Sequence, residues 1–249
     1  MRNVVEFSLG NVLATGARLY LRNLAVFLPA SLVAFAPAFA FVAVELDDVA
    51  VFEFSWGSWG LDNREIASLL GGVWLQTGLA VGVMNRLEGG YFDPGETVAE
   101  SVRSLLRFAH VGLALGALVL VGLSALVVPG LVLATMLWVA VPLAVVERRG
   151  LSYALQRSFK LTAGYRGRIL GLVLVLLVIA LVFDFVFAVA VFAVARGVVG
   201  IGVVPPDVVL QVSGVLAWGL AGSVAAVCYH DLRVLKEGAS AKSIVRVFE

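Results

Sequence analysis

Long runs of apolar residues alternate with short polar segments along this chain, and the long runs are apolar on every helical face. A spanning helix needs about 20 mainly apolar residues, and it satisfies its own backbone hydrogen bonds inside lipid. The period-two alternation of barrel strands is absent from these runs. The pattern predicts an all-α integral membrane fold, a single polytopic domain over residues 1–249 with six transmembrane helices, at about 24–44, 66–84, 108–128, 131–146, 169–195 and 208–229.

Proline, glycine and run length refine these boundaries. The first run contains Pro29 and Pro37, which predict kinks, and Pro129–Gly130 predicts a turn between the third and fourth spans. The first run is about 21 residues long, beyond the roughly 7–15 of a signal-peptide core, so it is expected to be a retained span. The fifth run would reach about 40 Å, so it is expected to tilt strongly or to project from the bilayer.

Composition supports the membrane class. Hydrophobic residues make up 61% of the chain and charged residues 14%, against roughly 45–50% and about 25% in soluble domains. The formal net charge of +1 gives no reason to expect nucleic acid as a partner. The one cysteine, Cys228, excludes an intrachain disulfide.

The positive charges are distributed unequally between the two predicted sides. All of the 18 Lys and Arg residues except Arg64 and Arg196 lie in the N-terminal segment, in the loops after the second and fourth spans, or in the C-terminal tail. The positive-inside rule therefore places both termini in the cytoplasm. The first external loop is acidic and carries Trp56 and Trp59, which suit a membrane interface.

The most basic segment is the stretch "ERRGLSYALQRSFKLTAGYR" at Glu147–Arg166, which Arg168 follows. Its helical periodicity predicts an amphipathic helix at the inner interface, with Ser152 as N-cap and Gly164 as the C-terminal stop. Its predicted apolar face holds Leu151, Leu155, Phe159 and Thr162, and Gln156, Arg157 and Lys160 lie opposite.

Two interpretations of this charge stay open. The basic residues can simply orient the neighbouring helices, or they can contact anionic headgroups or an acidic partner surface. The candidate lipid- or partner-binding residues are Arg148, Arg149, Arg157, Lys160, Arg166 and Arg168.

An amphipathic segment precedes the first, third and fifth spans. These segments carry basic pairs about one turn apart: Arg18 with Arg22, Arg103 with Arg107, and Arg157 with Lys160. The pattern predicts three interfacial helices, each feeding a helical hairpin. Two interpretations are open: the chain is a threefold tandem repeat, or amphipathic segments, which commonly precede spans, recur here by chance.

Three segments carry a family resemblance: "FSLGNVLATGARLYLRNLAVFL" at Phe7–Leu28, "ERRGLSYALQRSFKLTAGYRGRI" at Glu147–Ile169 and "YHDLRVLKEG" at Tyr229–Gly238. Together they resemble the glycerophosphoryl diester phosphodiesterase membrane-domain family of bacteria and archaea. The resemblance implies a six-helix protein of a prokaryotic cytoplasmic membrane. It does not imply phosphodiesterase activity, because the chain has no separate soluble module with clustered carboxylates and histidines.

Few side chains in the spans carry chemistry. Asp184 is the one acidic residue deep in an apolar run, and the hypotheses for it are pairing (Arg196 being one partner), a contact with another protein, and ion or proton transport. Cys228, His230 and Asp231 are close in sequence, but their spacing does not place all three on one helical face, so we predict no metal, cofactor or catalytic site.

Small residues at GxxxG spacing occur at Gly78–Gly82, Gly112–Gly116 and Gly167–Gly171. They predict close helix contact, either within the chain or with another subunit. With so little polar interior, the sequence predicts a non-enzymatic scaffold, assembly factor or accessory subunit that contacts lipids and other membrane proteins. The alternative is a small-solute, ion or lipid transporter that uses Asp184.

Overall fold

A computed structural model describes residues 6–46, 63–87, 127–197 and 206–238, together with Arg103, Val111, Ala114 and Leu118. Every element in the four ranges is helical. The helices are α1 (Leu9–Arg22), α2 (Leu24–Leu46), α3 (Asn63–Leu87), α4 (Val127–Leu137), α5 (Ala140–Val146), α6 (Leu151–Thr162), α7 (Arg166–Gly197) and α8 (Pro206–Glu237). The predicted all-helical class is confirmed for this part of the chain.

Two helices in the described ranges are long and apolar enough to cross a membrane, at Arg166–Ala190 and Val212–Glu237. A third is counted if α1 and α2, which meet at an angle of 89°, form one bent span. Helices α2 and α3 and the α4–α5 pair also lie where spans are predicted, but the predicted span at 108–128 lies largely outside the described residues. Six spans therefore remain a prediction.

Helices α3 and α8 form the centre of the molecule and run side by side in the same direction. Gly72 lies against Trp218, and about one turn later Gln76 lies against Gly222. Helix α2 packs on α3, and α1 packs along α8 through Val12, Gly16 and Tyr20, which recur every four residues and are all buried. This spacing puts one residue per turn on the same face, as the amphipathic pattern of α1 predicts.

Glycines permit the closest helix contacts that the structure describes. A Cβ atom added at Gly16 would lie 2.9 Å from the Cα of Val224, and one added at Gly71 would lie 2.6 Å from the carbonyl oxygen of Ala34. In the predicted pair Gly167–Gly171, a Cβ at Gly171 would lie 3.3 Å from Leu9 Cδ1, whereas one at Gly167 would meet nothing within 4 Å. Close approach is set by which face meets a neighbour, and the spacing alone does not encode that face.

The predicted turn at Pro129–Gly130 is wrong, because both residues lie within α4 and are helical. The chain turns instead at Trp138–Val139, between α4 and α5. The Ser158 hydroxyl of α6 donates to the carbonyl oxygen of Met136 at 2.6 Å, and so satisfies an acceptor in the last turn of α4.

The N-cap of α6 lies two residues before Ser152, the predicted N-cap. Gly150 is the N-cap and Ser152 lies inside the helix, so the Ser152 prediction is wrong. The predicted stop is confirmed, because Gly164 follows the helix with φ +84°, a conformation that favours glycine. The buried face is centred on Ala154, Ser158, Leu161 and Thr162, while the larger residues Leu151, Leu155 and Phe159 flank it and are only partly buried.

Helix α7 is 32 residues long, or about 48 Å, and so exceeds a hydrocarbon core of roughly 30 Å as its apolar run predicts. Its first turns pack into the core through Ile169 and Leu172. From Leu174 to Val189 most of its large apolar side chains are exposed.

Candidate functional site

The turn before α6 brings Glu147 to the surface that faces the end of α8. Arg148 has φ +52° there, and the N–H groups of Arg148 and Arg149 donate to the carbonyl oxygens of Val145 and Ala144 at 3.3 and 3.1 Å. These two bonds form a Schellman motif at the C-terminus of α5, with an arginine where glycine is usual. A left-handed conformation costs a non-glycine residue about 1–2 kcal/mol, so neighbouring contacts must hold this turn in place.

Glu147 is the acceptor at the centre of a polar cluster that joins α5, α6 and α8. Its side chain is only 14% exposed. The hydroxyl of Tyr153 donates to Oε2 at 2.7 Å, and the hydroxyl of Tyr229 donates to Oε1 at 3.0 Å. Arg157 Nε lies 3.5 Å from Oε1. The carboxylate thus receives one donor from α8 and two from α6, and it binds the two helices together.

The hydrogen bond to Glu147 raises the pKa of the Tyr153 hydroxyl above its usual range, with smaller contributions from burial and from the negative charge of Glu147. Tyr153 therefore remains a hydrogen-bond donor throughout the physiological pH range.

The C-terminal end of α8 completes the cluster. Glu237 accepts from Arg157 Nη2, and its second oxygen lies 3.6 Å from Arg233 Nε. Lys236 Nζ donates to the carbonyl oxygens of Lys160 and Ala163, at 2.5 and 2.7 Å. Those carbonyls end α6, where four acceptors lack intrahelical partners. The cation therefore caps a helix C-terminus, which the helix dipole also favours.

The structure divides the six predicted basic residues into three groups. Arg157 is paired with Glu147 and Glu237, and Arg168 lies 3.6 Å from Glu6 Oε1 and donates to the carbonyl oxygen of Phe7 at 2.7 Å. Arg148 and Arg149 lie in the turn before α6, where the Arg149 guanidinium lies 5.6 Å from the centre of the Tyr153 ring. Lys160 and Arg166 have exposed side chains near the other end of α6.

Sequence reasoning missed Glu147 and Tyr229 as members of the cluster. The Tyr229 hydroxyl donates to Glu147, which lies 82 positions earlier in the chain. The hydrophobic pattern around Tyr229 indicates only that this residue faces the core. The one available signal is the position of Glu147, an acidic residue directly before two arginines in a predicted cytoplasmic loop.

Asp184 is half-buried on α7 and accepts a hydrogen bond from the Ser213 hydroxyl of α8, at 2.5 Å. The side chain of Arg196, its predicted partner, lies outside the described residues. Two other hydroxyls in predicted spans, those of Thr77 and Thr135, donate to carbonyl oxygens of their own helices at 2.7 Å.

Cys228, His230 and Asp231, in the C-terminal part of α8, are buried. Cys228 is fully buried, and His230 Nδ1 lies 3.3 Å from Asp231 Oδ1. Within the described ranges, no group of three or more His, Cys, Asp and Glu residues is arranged to hold a metal ion.

Comparison with family models, with curated proteins and with solved structures gives no match to this chain.

Proposed function

We propose that this chain is a non-enzymatic integral membrane protein that acts as a scaffold, assembly factor or accessory subunit. The observation that carries the proposal is the exposed apolar surface of α7. Only 11% of its most apolar 18-residue window is buried within the molecule. A surface of this size and composition needs lipid or another membrane protein against it.

Three polar side chains of the described spans support the same proposal. Asp184 is engaged by Ser213, and the hydroxyls of Thr77 and Thr135 are engaged by their own helices. These side chains join helices or satisfy backbone acceptors, so the proposal assigns no reaction and no cofactor to them.

The proposed setting is a prokaryotic cytoplasmic membrane, with six spans, both termini in the cytoplasm and three interfacial helices. The resemblance to the glycerophosphoryl diester phosphodiesterase membrane-domain family is part of the proposal, as is contact between the basic cytoplasmic surface and anionic lipids. The order of an amphipathic helix followed by two long helices occurs at α1–α3 and again at α6–α8, which supports the repeat interpretation.

The proposal is tested by purifying the tagged full chain in a mild detergent and identifying co-purifying membrane proteins by mass spectrometry. The matched variant carries Leu181→Ala and Phe185→Ala, which lie one turn apart on α7 and are 58% and 71% exposed. We expect this variant to fold normally and to lose most of the specific partner. Equal recovery of the same partners by both proteins would contradict the assignment of this surface, and the absence of any specific partner would contradict the scaffold function.

A further inference from the structure

Two of the basic residues on the surface around α6, Arg157 and Arg233, are neutralised by carboxylates of the same chain. Arg157 and Arg233 share the carboxylate of Glu237, and Arg157 also lies beside Glu147. These cations already have anionic partners, so they have little reason to attract a further one. An anion-binding site must use the remaining basic residues.

Of the remaining basic residues, Arg148 and Arg149 lie before α6, and a larger group lies at the turn between α6 and α7: Lys160, Arg166, Arg168 and Lys236. Lys236 lies across the end of α6 and donates to the carbonyl oxygens of Lys160 and Ala163. The positive charge of Arg166 lies close enough to interact with that of Lys236. The Tyr165 ring has Lys236 Nζ and the Arg168 guanidinium carbon each 5.9 Å from its centre. Lys236 thus joins, across the fold, a set of cations that are close in sequence.

The positive charges at this turn are less fully neutralised by carboxylates than those of Arg157 and Arg233. Within the described residues, no carboxylate forms an ion pair with Lys160, Arg166 or Lys236. Glu6 pairs with Arg168, but its side chain is 78% exposed, so water screens that pair strongly. The described part of the turn therefore presents positive charge that its own ion pairs leave unneutralised.

The position of the turn identifies the class of anion. Arg166 opens α7, and the exposed apolar side chains of that helix begin at Leu174, about two turns further along. Lipid that covers this face has its headgroups near the start of the helix, and Tyr165 is an amphipathic residue of the kind found at membrane interfaces. Each basic residue near an anionic leaflet strengthens the attraction about fivefold.

We propose that Lys160, Arg166 and Lys236, with Arg168 at the edge, bind the phosphate of an anionic phospholipid at the cytoplasmic face. This inference rests on the proposed function, whose lipid contact it assigns to one end of α6. It removes Arg148, Arg149 and Arg157 from the predicted binding set and adds Lys236.

The test measures lipid preference in the purified full chain. The protein is placed in mixed micelles with equal amounts of phosphatidylglycerol and phosphatidylcholine, and native mass spectrometry gives the ratio of the two bound lipids. We expect the wild-type chain to prefer phosphatidylglycerol and the Lys160→Gln, Arg166→Gln double variant to lose about 5- to 25-fold of that preference. The loss should be larger at low salt, where attraction is least screened.

The matched control is Arg148→Gln with Arg149→Gln. It removes the same charge from the same loop, at the opposite end of a 12-residue helix, about 18 Å away. We expect it to keep most of the lipid preference. A third arm adds inorganic phosphate, which we expect to compete weakly if the lipid, rather than a free anion, is the ligand.

The outcomes separate this inference from the proposed function. An equal loss in both double variants, or no loss in the first, would overturn the site while leaving anionic lipid contact intact. No lipid preference in the wild-type chain would instead remove the lipid contact from the proposed function. Strong competition by inorganic phosphate, or loss of an acidic protein partner without a change in lipid ratio, would also overturn the lipid assignment.

Discussion

Glu147 shows how one side chain can hold a membrane protein together where its helices leave the apolar core. It accepts from Tyr153, Arg157 and Tyr229, which come from two helices. Tyr229 is fully buried, so its hydroxyl would lack a partner without this carboxylate. A buried donor that loses its acceptor costs about 1–3 kcal/mol.

We therefore expect Glu147→Ala to lower stability by about 1–3 kcal/mol and Tyr229→Phe to lower it by about 1 kcal/mol, measured by thermal unfolding in detergent. The double variant should lose less than the sum of the two, because both remove the same hydrogen bond. Tyr153→Phe is the control, since Tyr153 is 40% exposed and water can replace its bond. Additive losses would show that Glu147 and Tyr229 act independently.

Asp184 separates the scaffold from the transporter alternative. Asparagine keeps a carbonyl oxygen that can accept from the Ser213 hydroxyl, but it cannot carry a charge or exchange a proton. We expect Asp184→Asn to leave stability and partner recovery within about 0.5 kcal/mol and twofold of wild type. Abolition of a solute or proton flux in liposomes, with normal partner recovery, would favour the transporter.

Residue patterns predicted which segments are charged but not which charges meet. The surplus of basic residues around α6 is visible in the sequence, and so is the glycine that ends the helix. The pairs Arg157–Glu237 and Lys236–Lys160 O join positions 80 and 76 residues apart. No local periodicity encodes such contacts, because they depend on how α6 and α8 pack in space.

At the scale of elements, α1 combines an amphipathic pattern with a close contact that the pattern does not reveal. Its buried stripe follows the four-residue spacing expected of a helix. The contact at Gly16 arises because Val224 of α8 lies directly opposite. Hydrophobic periodicity identifies the face of a helix, whereas the distance to the neighbour depends on both partners.

Gly16→Ala should therefore destabilise the molecule by about 1–3 kcal/mol, because the new Cβ would lie 2.7 Å from Val224 Cγ2 and the backbones must move apart. Gly10→Ala is the control on the same helix, where a Cβ meets nothing within 4 Å. We expect the control to be neutral or to gain up to about 1 kcal/mol from helix propensity. Thermal unfolding of the two variants side by side provides the measurement, and equal behaviour would contradict the close contact.

Two predictions based on local signals were wrong for the same physical reason. Pro129–Gly130 and Ser152 are residues that favour turns and caps, yet all three lie within helices, in α4 and α6. These residue types also occur inside helices, so they locate a helix boundary only to within a few residues. The break at Trp138–Val139 carries no proline or glycine and could not be located from composition.

For the whole molecule, apolar run length predicted the helical class and most helix positions, because burial in lipid demands long hydrogen-bonded segments. Two helices, or three with the bent pair, meet the length and composition of a span in the described part. The side of each loop rests on charge distribution alone. The proposed orientation, with both termini in the cytoplasm, follows from that distribution through the positive-inside rule.

Cysteine labelling tests that orientation. The native Cys228 is fully buried, so the wild-type chain should give little background with a membrane-impermeant maleimide. We expect Ser55→Cys to label strongly in intact cells, and Ser101→Cys and Ser243→Cys to label only after permeabilisation, by at least about fivefold, if the positive-inside assignment holds. Labelling of both Ser55→Cys and Ser243→Cys in intact cells would place the C-terminal tail outside and require an odd number of spans.

The bonds from Lys236 to the end of α6 also have a consequence during synthesis. The two carbonyl acceptors precede their donor by 76 and 73 residues. At about 5–20 residues per second, the ribosome needs roughly 4–15 s to add that length of chain. During this interval the acceptors depend on water, which the hydrocarbon core does not supply. The new α6 must therefore wait at an aqueous surface until α8 arrives.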